Sequence, residues 1–123
     1  MAILDSSAII HILKGTEKGK LMVGNFNDEL TTTTSLCIHE TLLGTKEKER
    51  EATLSFLQSL EVISFDKESA LESVKVEERL YDKGKPINKI DIFIAAICLT
   101  KDTSLLTTDN DFINVEGLKV IKV

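Results

Sequence analysis

The stretch "KPINKIDIFIAAICL", residues 85–99, places a carboxylate inside an otherwise apolar segment. Between Ile90 and Leu99, Asp91 is the only charged residue. A lone buried carboxylate is costly, and it tends to pair, to bind a metal ion or to take up a proton. The pattern therefore predicts a buried helix in which Asp91 has partners elsewhere in the chain.

Short apolar or β-branched runs alternate with helical segments on both sides of this stretch. The runs that predict strands are "MAIL", "ELTTTT", "EVISF", "SLLTT" and "LKVIKV". Helices are predicted between them, with N-caps at Ser6 or Ser7, at Ser35, at Asp66 and at Asn88. This alternation is typical of an α/β fold, a single domain whose largely parallel sheet of four or five strands carries helices on both faces.

Length and composition restrict the class of protein. A chain of 123 residues with 42% hydrophobic residues suits one domain, residues 1–123, with a proper core. The net charge of -5 argues against a broad basic nucleic-acid surface, but it is compatible with an acidic site that binds divalent ions. Cys37 and Cys98 lie in apolar surroundings and are predicted to be reduced core residues.

The chain carries no pattern of a secretory signal or of a membrane span. Its N-terminal apolar run is interrupted by Asp5, and the apolar run at 90–99 is too short to cross a bilayer. A soluble, cytoplasmic protein without a membrane partner is expected.

Four acids fall at positions that a parallel sheet would bring to one edge. Asp5 and Asp109 directly follow predicted strands, while Glu40 and Asp91 lie in early turns of predicted helices. Ligands bind outside the carboxyl ends of strands in open parallel sheets. Each acid also has a structural alternative: Asp5 and Asp109 as helix caps, Asp91 in a capping box with Asn88, and Glu40 as a solvated residue.

The chemistry of such a cluster favours metal ions. Like charges in one cleft repel unless cations hold them together. Carboxylates suit hard ions such as Mg²⁺ or Mn²⁺. Two such ions can clamp a phosphodiester, activating water on one side and stabilising the leaving oxygen on the other.

Four blocks of the chain resemble those of a known family. They are "MAILDSSAIIHIL", "TTTSLCIHETLLG", "GKPINKIDIFIAA" and "LLTTDNDFINVEGLKVI". In order and spacing they resemble the blocks of PIN-domain ribonucleases, and most closely the VapC-type toxins of toxin–antitoxin pairs. The resemblance covers nearly the whole chain. It implies a PIN-like fold and a Mg²⁺- or Mn²⁺-dependent endoribonuclease that hydrolyses single-stranded RNA, with an antitoxin partner and a homodimeric state.

The resemblance also assigns residues. It matches Asp5, Glu40, Asp91 and Asp109 with the metal-site acids of the family, and Asp111 with a possible fifth, for which capping within the turn is the preferred alternative. Ser6 and Ser7 stand where the family often has Thr and Asn. The predicted supporting hydroxyls, which orient ligands from outside the metal site, are those of Ser6 and Thr107, and the Ser7 hydroxyl could bond a carboxylate or a metal-bound water in the same way. Each of the three is explained equally well as a cap or strand residue.

The basic residues have weaker assignments. Lys83, Lys85 and Lys89 lie close in sequence to Asp91 and are candidate contacts to RNA phosphates, although solvated positions at helix ends and turns are the preferred interpretation. His11 and His39 are predicted to be structural or exposed, because a two-metal site requires no histidine base. The apolar segments "GKLMVGNF" and "LSFLQSL" are candidate association surfaces.

Two other functions fit parts of the sequence. A phospho-receiver regulatory domain has a similar length and architecture, and Asp66 after "EVISF" would stand for its phospho-acceptor. Against it, a single acid follows the first strand. A catalytically silent PIN-like module that only binds a partner is the third possibility.

Overall fold

The computed structural model describes residues 2–123, and its centre is a five-stranded sheet. The strands are β1 (Ala2–Leu4), β2 (Thr32–Thr34), β3 (Glu61–Ile63), β4 (Ser104–Thr107) and β5 (Val120–Lys122). Their order is β3-β2-β1-β4-β5, and all neighbouring pairs are parallel. The predicted α/β class and the five predicted strands are confirmed.

In the described part of the chain, six α-helices and three short 3₁₀ segments connect the strands. The helices are α1 (Ser6–Lys14), α2 (Glu17–Phe26), α3 (Ser35–Leu43), α4 (Arg50–Gln58), α5 (Lys67–Asp82) and α6 (Lys89–Thr100). The 3₁₀ segments are Asn27–Glu29, Glu47–Glu49 and Asn110–Asn114. Parallel neighbours require crossover connections of this kind, because a tight hairpin joins only antiparallel strands.

Burial along the central strands shows that both faces of the sheet are covered. All residues of β1 are buried, and Leu105, Leu106 and Thr107 of β4 are buried as well. Since successive side chains of a strand point to opposite faces, a run without exposed residues requires packing on each side. The edge strand β3 differs, with Glu61 and Val62 exposed.

The stretch around Asp91 forms the predicted buried helix, α6. Asn88 is its N-cap, and the side-chain oxygen of Asn88 accepts hydrogen bonds from the N–H groups of Ile90 and Asp91. From Ile94 to Cys98 every residue is buried. The segment is helical because its first N–H groups are capped by Asn88, and it is buried because the residues that follow are almost all apolar.

Two predicted N-caps are wrong by one or two residues. The N-cap of α1 is Asp5, whose side chain accepts from the Ala8 N–H, and not Ser6 or Ser7. The N-cap of α3 is Thr34, not Ser35, because the Thr34 hydroxyl accepts from the Cys37 N–H. In both cases the last residue before the helix is still extended, which is the backbone conformation that an N-cap requires.

Helices α5 and α6 form an antiparallel hairpin. At one end Lys101 pairs with Asp66 at 3.1 Å, and the Ser69 and Thr100 hydroxyls lie 3.2 Å apart. The other end of the hairpin is the turn at residues 83–88. The start of α6, with Asp91, therefore lies at the opposite end from the Lys101–Asp66 pair.

Cys37 and Cys98 are buried free thiols, as predicted. Within residues 2–123, every helix is too short or too polar to cross a membrane.

Candidate metal centre

The strand order delivers four acids from different elements to the carboxyl edge of the sheet. Strand β1 lies between β2 and β4, and Asp5 follows it directly. Helix α3, which carries Glu40, begins immediately after β2, and Asp109 follows β4 by two residues. Asp91 joins them from the first turn of α6, so the arrangement depends on three parallel strands that end at one edge.

Asp5 is the most enclosed of the acids, with 4% of its surface exposed. Its Oδ1 accepts from the Ser7 hydroxyl at 2.6 Å and from the Ala8 N–H at 2.9 Å. Its Oδ2 accepts from the Thr107 hydroxyl at 2.5 Å. Burial raises the pKa of Asp5 above its ordinary value, these hydrogen bonds oppose the increase, and the charge of Asp109 adds to it.

Glu40 is partly buried beside Asp5. The Ser6 hydroxyl donates to its Oε1 at 3.3 Å, so the predicted supporting role of Ser6 corresponds to a contact with Glu40 and not with Asp5. Burial raises the pKa of Glu40, and the charge of Asp5 raises it further, while Ser6 and His39 act in the opposite direction. Asp5 and Glu40 therefore lie within electrostatic range of each other.

Asp91 experiences the largest number of like charges. Burial raises its pKa to about 7, and the charges of Glu40, Asp109, Asp5 and Asp111 contribute in that order. The Asn88 amide caps the helix through main-chain N–H groups, and within residues 2–123 the Asp91 carboxylate makes no return bond to the Asn88 N–H. The capping-box alternative for Asp91 is therefore wrong.

Asp109 has a local structural role as well as a place in the cluster. It is the N-cap of the 3₁₀ segment Asn110–Asn114, and its Oδ1 accepts from the Asp111 N–H at 2.8 Å. The capping alternatives for Asp5 and Asp109 are thus correct descriptions of one role of each residue. Neither excludes a second role, because a carboxylate has lone pairs beyond those that a cap uses.

The donor set of this cleft fits a hard divalent cation. The ion pairs within residues 2–123 are Lys89–Glu77, Lys101–Asp66 and Lys119–Asp102, and none of them includes an acid of the cleft. In the same part of the chain, no three His, Cys, Asp or Glu side chains stand close enough together to form a ready metal cluster. The carboxylates therefore share an electrostatic field in which, among residues 2–123, no lysine or arginine is paired with them and only the exposed His39 opposes their charge, at Glu40. Oxygen-only donors of this kind suit Mg²⁺ or Mn²⁺.

The predicted lysine contacts have other partners. The Lys83 Nζ donates to the Asn114 carbonyl at 3.4 Å, which ties the turn at residues 83–88 to the segment after Asp109. Lys89 pairs with Glu77 at 2.6 Å. Lys85, which lies between these two lysines in the sequence, is exposed.

The histidines lie outside the cluster of acids. His11 Nδ1 is 2.7 Å from the Thr16 hydroxyl, and His39 is exposed. Asp66, the candidate phospho-acceptor, caps α5 and pairs with Lys101, and these hydrogen bonds lower its pKa to about 2. The Asp66 carboxylate thus lies at the end of the α5–α6 hairpin that is opposite to Asp91.

Ser7 is the contact that sequence reasoning underestimated. Its hydroxyl lies 2.6 Å from Asp5 and accepts a hydrogen bond from the Thr108 N–H. A hydroxyl two residues after an acid that ends a strand is the available sequence signal. That signal does not distinguish Ser7 from Ser6, because the direction of each side chain depends on the first turn of α1.

Comparison with known proteins identifies the family. The model of the PIN domain family matches residues 2–118. The chain belongs to the PIN domain family. The predicted family resemblance is confirmed.

The PIN domain relatives are distant in sequence but close in fold. Ribonuclease VapC5 of Mycobacterium tuberculosis is 23% identical over 128 residues, an alignment that covers 98% of this chain and 92% of the relative. The structure of VapBC2 from Rickettsia felis bound to a DNA fragment from its promoter superposes with a TM-score of 0.85 at 21% identity, over 99% of this chain and 98% of the other. The structure of DNA-bound VapBC from Salmonella typhimurium superposes with a TM-score of 0.80 at 23% sequence identity, over 99% of this chain and 98% of the other.

Proposed function

We propose that this PIN domain is a metal-dependent endoribonuclease that hydrolyses single-stranded RNA, and that it is the toxin of a VapBC-type toxin–antitoxin pair. The observation that carries the proposal is the environment of Asp91: burial and the charges of four other carboxylates raise its pKa, and within residues 2–123 none of these acids forms an ion pair with a lysine or an arginine. A relative named as a ribonuclease and neighbours solved as VapBC complexes support it.

The residues that would hold the metal are Asp5, Glu40, Asp91 and Asp109, with Asp111 as a possible addition. Divalent ions bound there, Mg²⁺ or Mn²⁺, would supply an activated water and compensate the charge that develops on the phosphodiester, in a two-metal hydrolysis. All five are carboxylates, which is the ligand type that these ions prefer.

The chain's own residues position these carboxylates. Hydroxyls of Ser7 and Thr107 hold Asp5, and Ser6 holds Glu40. Asp109 is fixed by the N–H of Asp111. Because the acids belong to different elements of a rigid sheet edge, their spacing is set before substrate arrives, which is the condition for efficient positioning.

Few lysines are available near the acids to contact RNA. Lys83 and Lys89 already contact Asn114 and Glu77, and Lys85 is the exposed lysine of the turn before Asp91. We propose that these three lysines approach the RNA phosphates at the edge of the cleft. Single-stranded loops are the form of RNA that proteins most often read, since their bases and backbone are accessible.

The test is cleavage of total RNA by the purified protein, with and without a chelator, beside Asp5→Asn. We expect Mg²⁺- or Mn²⁺-dependent cleavage that the chelator and the substitution abolish. Products should carry a 5′-phosphate and a 3′-hydroxyl, because water attacks the phosphorus while the bond to the 3′-oxygen breaks and that oxygen leaves. A 2′,3′-cyclic phosphate would contradict this mechanism, and absence of cleavage would favour the catalytically silent module.

We also propose an antitoxin chain as partner, a homodimeric state and a cytoplasmic location. The VapBC neighbours, solved with both components of such a pair, support the antitoxin. Exposed apolar side chains on α2 and α4, those of Leu21, Val23 and Leu54, support association of the chain through these helices.

A further inference from the structure

Two hydroxyl groups enclose the Asp5 carboxylate from opposite sides. Ser7, in the first turn of α1, lies 2.6 Å from Oδ1, and Thr107, at the end of β4, lies 2.5 Å from Oδ2. The two hydroxyl oxygens are 3.4 Å apart. Asp5 is therefore held jointly by an adjacent helix and by a strand that lies about a hundred residues away in sequence.

The main chain fixes the direction of both hydroxyl protons. The Ser7 oxygen accepts from the Thr108 N–H at 3.1 Å, and the Thr107 oxygen accepts from the Asp109 N–H at 2.9 Å. A hydroxyl has one proton to donate. Since an ionised carboxylate can only accept, each hydroxyl donates its proton to Asp5. Neither proton is then available for a hydrogen bond across the longer contact between the two hydroxyls.

The hydrogen bonds to Asp5 differ in number between its two oxygens. Oδ1 accepts from the Ser7 hydroxyl and from the Ala8 N–H at 2.9 Å, whereas among the described residues 2–123 only Thr107 donates to Oδ2. Each carboxylate oxygen offers about two lone-pair sites. Oδ1 is therefore saturated, and the free lone pair of Asp5 is on Oδ2.

We propose that Ser7 is a positioning residue for the metal centre: with Thr107 it fixes the Asp5 carboxylate so that Oδ2 alone is presented to a cation. The inference rests on the proposed function, because it concerns the same site. Ser7 acts in two directions. It saturates Oδ1, and through the Thr108 N–H it ties the start of α1 to the loop that carries Asp109.

The experiment measures Mn²⁺ binding by titration calorimetry with the metal alone. The proteins are the parent, Asp5→Asn, Ser7→Ala, the isosteric pair Ser7→Thr and Ser7→Val, and Ser73→Ala. Ser73 is the matched control, since it is a helical serine whose hydroxyl donates to the Ala70 carbonyl in α5. Thermal melts of each metal-free protein establish that it is folded.

We expect Ser7→Ala and Ser7→Val to weaken Mn²⁺ binding by about 10- to 100-fold, the usual effect of removing a residue that orients a metal ligand. Ser7→Thr should bind within about threefold of the parent, because it keeps the hydroxyl, and Ser73→Ala should not change affinity. RNA cleavage by Ser7→Ala should recover at saturating Mn²⁺. If Ser7→Ala does not fold, the comparison of Ser7→Thr with Ser7→Val decides.

The outcomes separate this inference from the proposed function. A parent that binds Mn²⁺, an Asp5→Asn variant that does not, and a Ser7→Val variant equal to Ser7→Thr would overturn the role of Ser7 and leave the metal site intact. A parent that binds no Mn²⁺ would overturn both.

Discussion

Asp91 occupies a position where its two local environments act in opposite directions. The start of α6 offers main-chain N–H groups, which favour a negative charge. Burial and four neighbouring acids disfavour it, and they prevail, because its pKa rises to about 7. The stability of the metal-free protein is therefore coupled to the protonation of this carboxyl.

The first prediction is that the metal-free protein loses stability between about pH 4 and pH 7. The ordinary pKa of Asp91 is 3.8 and its folded value is about 7, so within this window the folded state holds more protons than the unfolded state. Stability then falls as pH rises through the window and levels off above it. Urea denaturation at pH 5 and pH 7.5 measures the difference. The raised pKa values of Asp5 and Glu40 act in the same direction.

The second prediction concerns Asp91→Asn, which removes the charge and nearly keeps the shape. At pH 7.5 the metal-free variant should be as stable as the parent or more stable, because repulsion among the acids falls. Its stability should also vary less between pH 5 and pH 7.5. RNA cleavage should fall at least about 100-fold, since loss of a ligand exceeds the effect of losing its orienting partner.

The same variant distinguishes a metal ligand from a purely structural residue. A structural role would give at most about 1 kcal/mol of lost stability with normal cleavage. A variant that cleaves RNA like the parent would show that Asp91 is not part of the metal centre.

At the scale of elements, the contact between α1 and α2 depends on a glycine. A Cβ added to Gly19 would lie 2.1 Å from the His11 carbonyl oxygen and 2.5 Å from its carbon. The Thr16 hydroxyl completes the junction, since it accepts from the Gly19 N–H and contacts His11 Nδ1. The two helices thus contact each other through main-chain atoms at Gly19 and His11, and no flexible side chain can rotate away to make room for a Cβ.

The third prediction compares two glycines of α2. Gly19→Ala should destabilise the protein by about 2–3 kcal/mol or more, because backbone must shift to relieve the overlap. Gly24→Ala should leave stability unchanged or raise it by about 0.5–1 kcal/mol, since among residues 2–123 no atom beyond the adjacent backbone of α2 lies within 4 Å of the added Cβ, and alanine favours a helix. Urea denaturation of both variants tests this, and equal stabilities would contradict it.

At the scale of the whole molecule, the predicted association segments are only partly exposed. In α2, Leu21 is exposed but Met22 is buried, and in α4 Leu54 is exposed while Leu57 is buried. Helix α5 has a further exposed apolar pair, Leu71 and Val74. Self-association therefore has two candidate faces, and variants on each can tell them apart.

The fourth prediction is a concentration-dependent dimer that Leu21→Ser weakens. Sedimentation velocity over a wide concentration range should show dimer for the parent and a shift toward monomer for the variant, because burial of apolar surface drives association. Leu71→Ser is the matched variant on α5. If it alone disrupts the dimer, the interface lies on α5, and a parent that stays monomeric throughout would contradict the proposed homodimer.

Features that depend on local pattern could be predicted from the sequence. The nearly apolar run after Asn88 predicts α6, Asp66 predicts the start of α5, and the alternation of elements predicts the parallel sheet. Acids directly after strands predict their place at its carboxyl edge. These features follow from helical periodicity, capping and the geometry of parallel strands, all of which act over a few residues.

The tertiary structure is needed to explain which hydroxyls contact these acids and which partners the lysines near Asp91 have. Thr107 contacts Asp5 because β4 is the neighbour of β1, and Ser7 rather than Ser6 faces it because of how the first turn of α1 is oriented. Lys83 and Lys89 reach Asn114 and Glu77 because α5 and α6 form a hairpin. Such contacts join residues far apart in the chain, and they are set by strand order and helix packing, which no local pattern encodes.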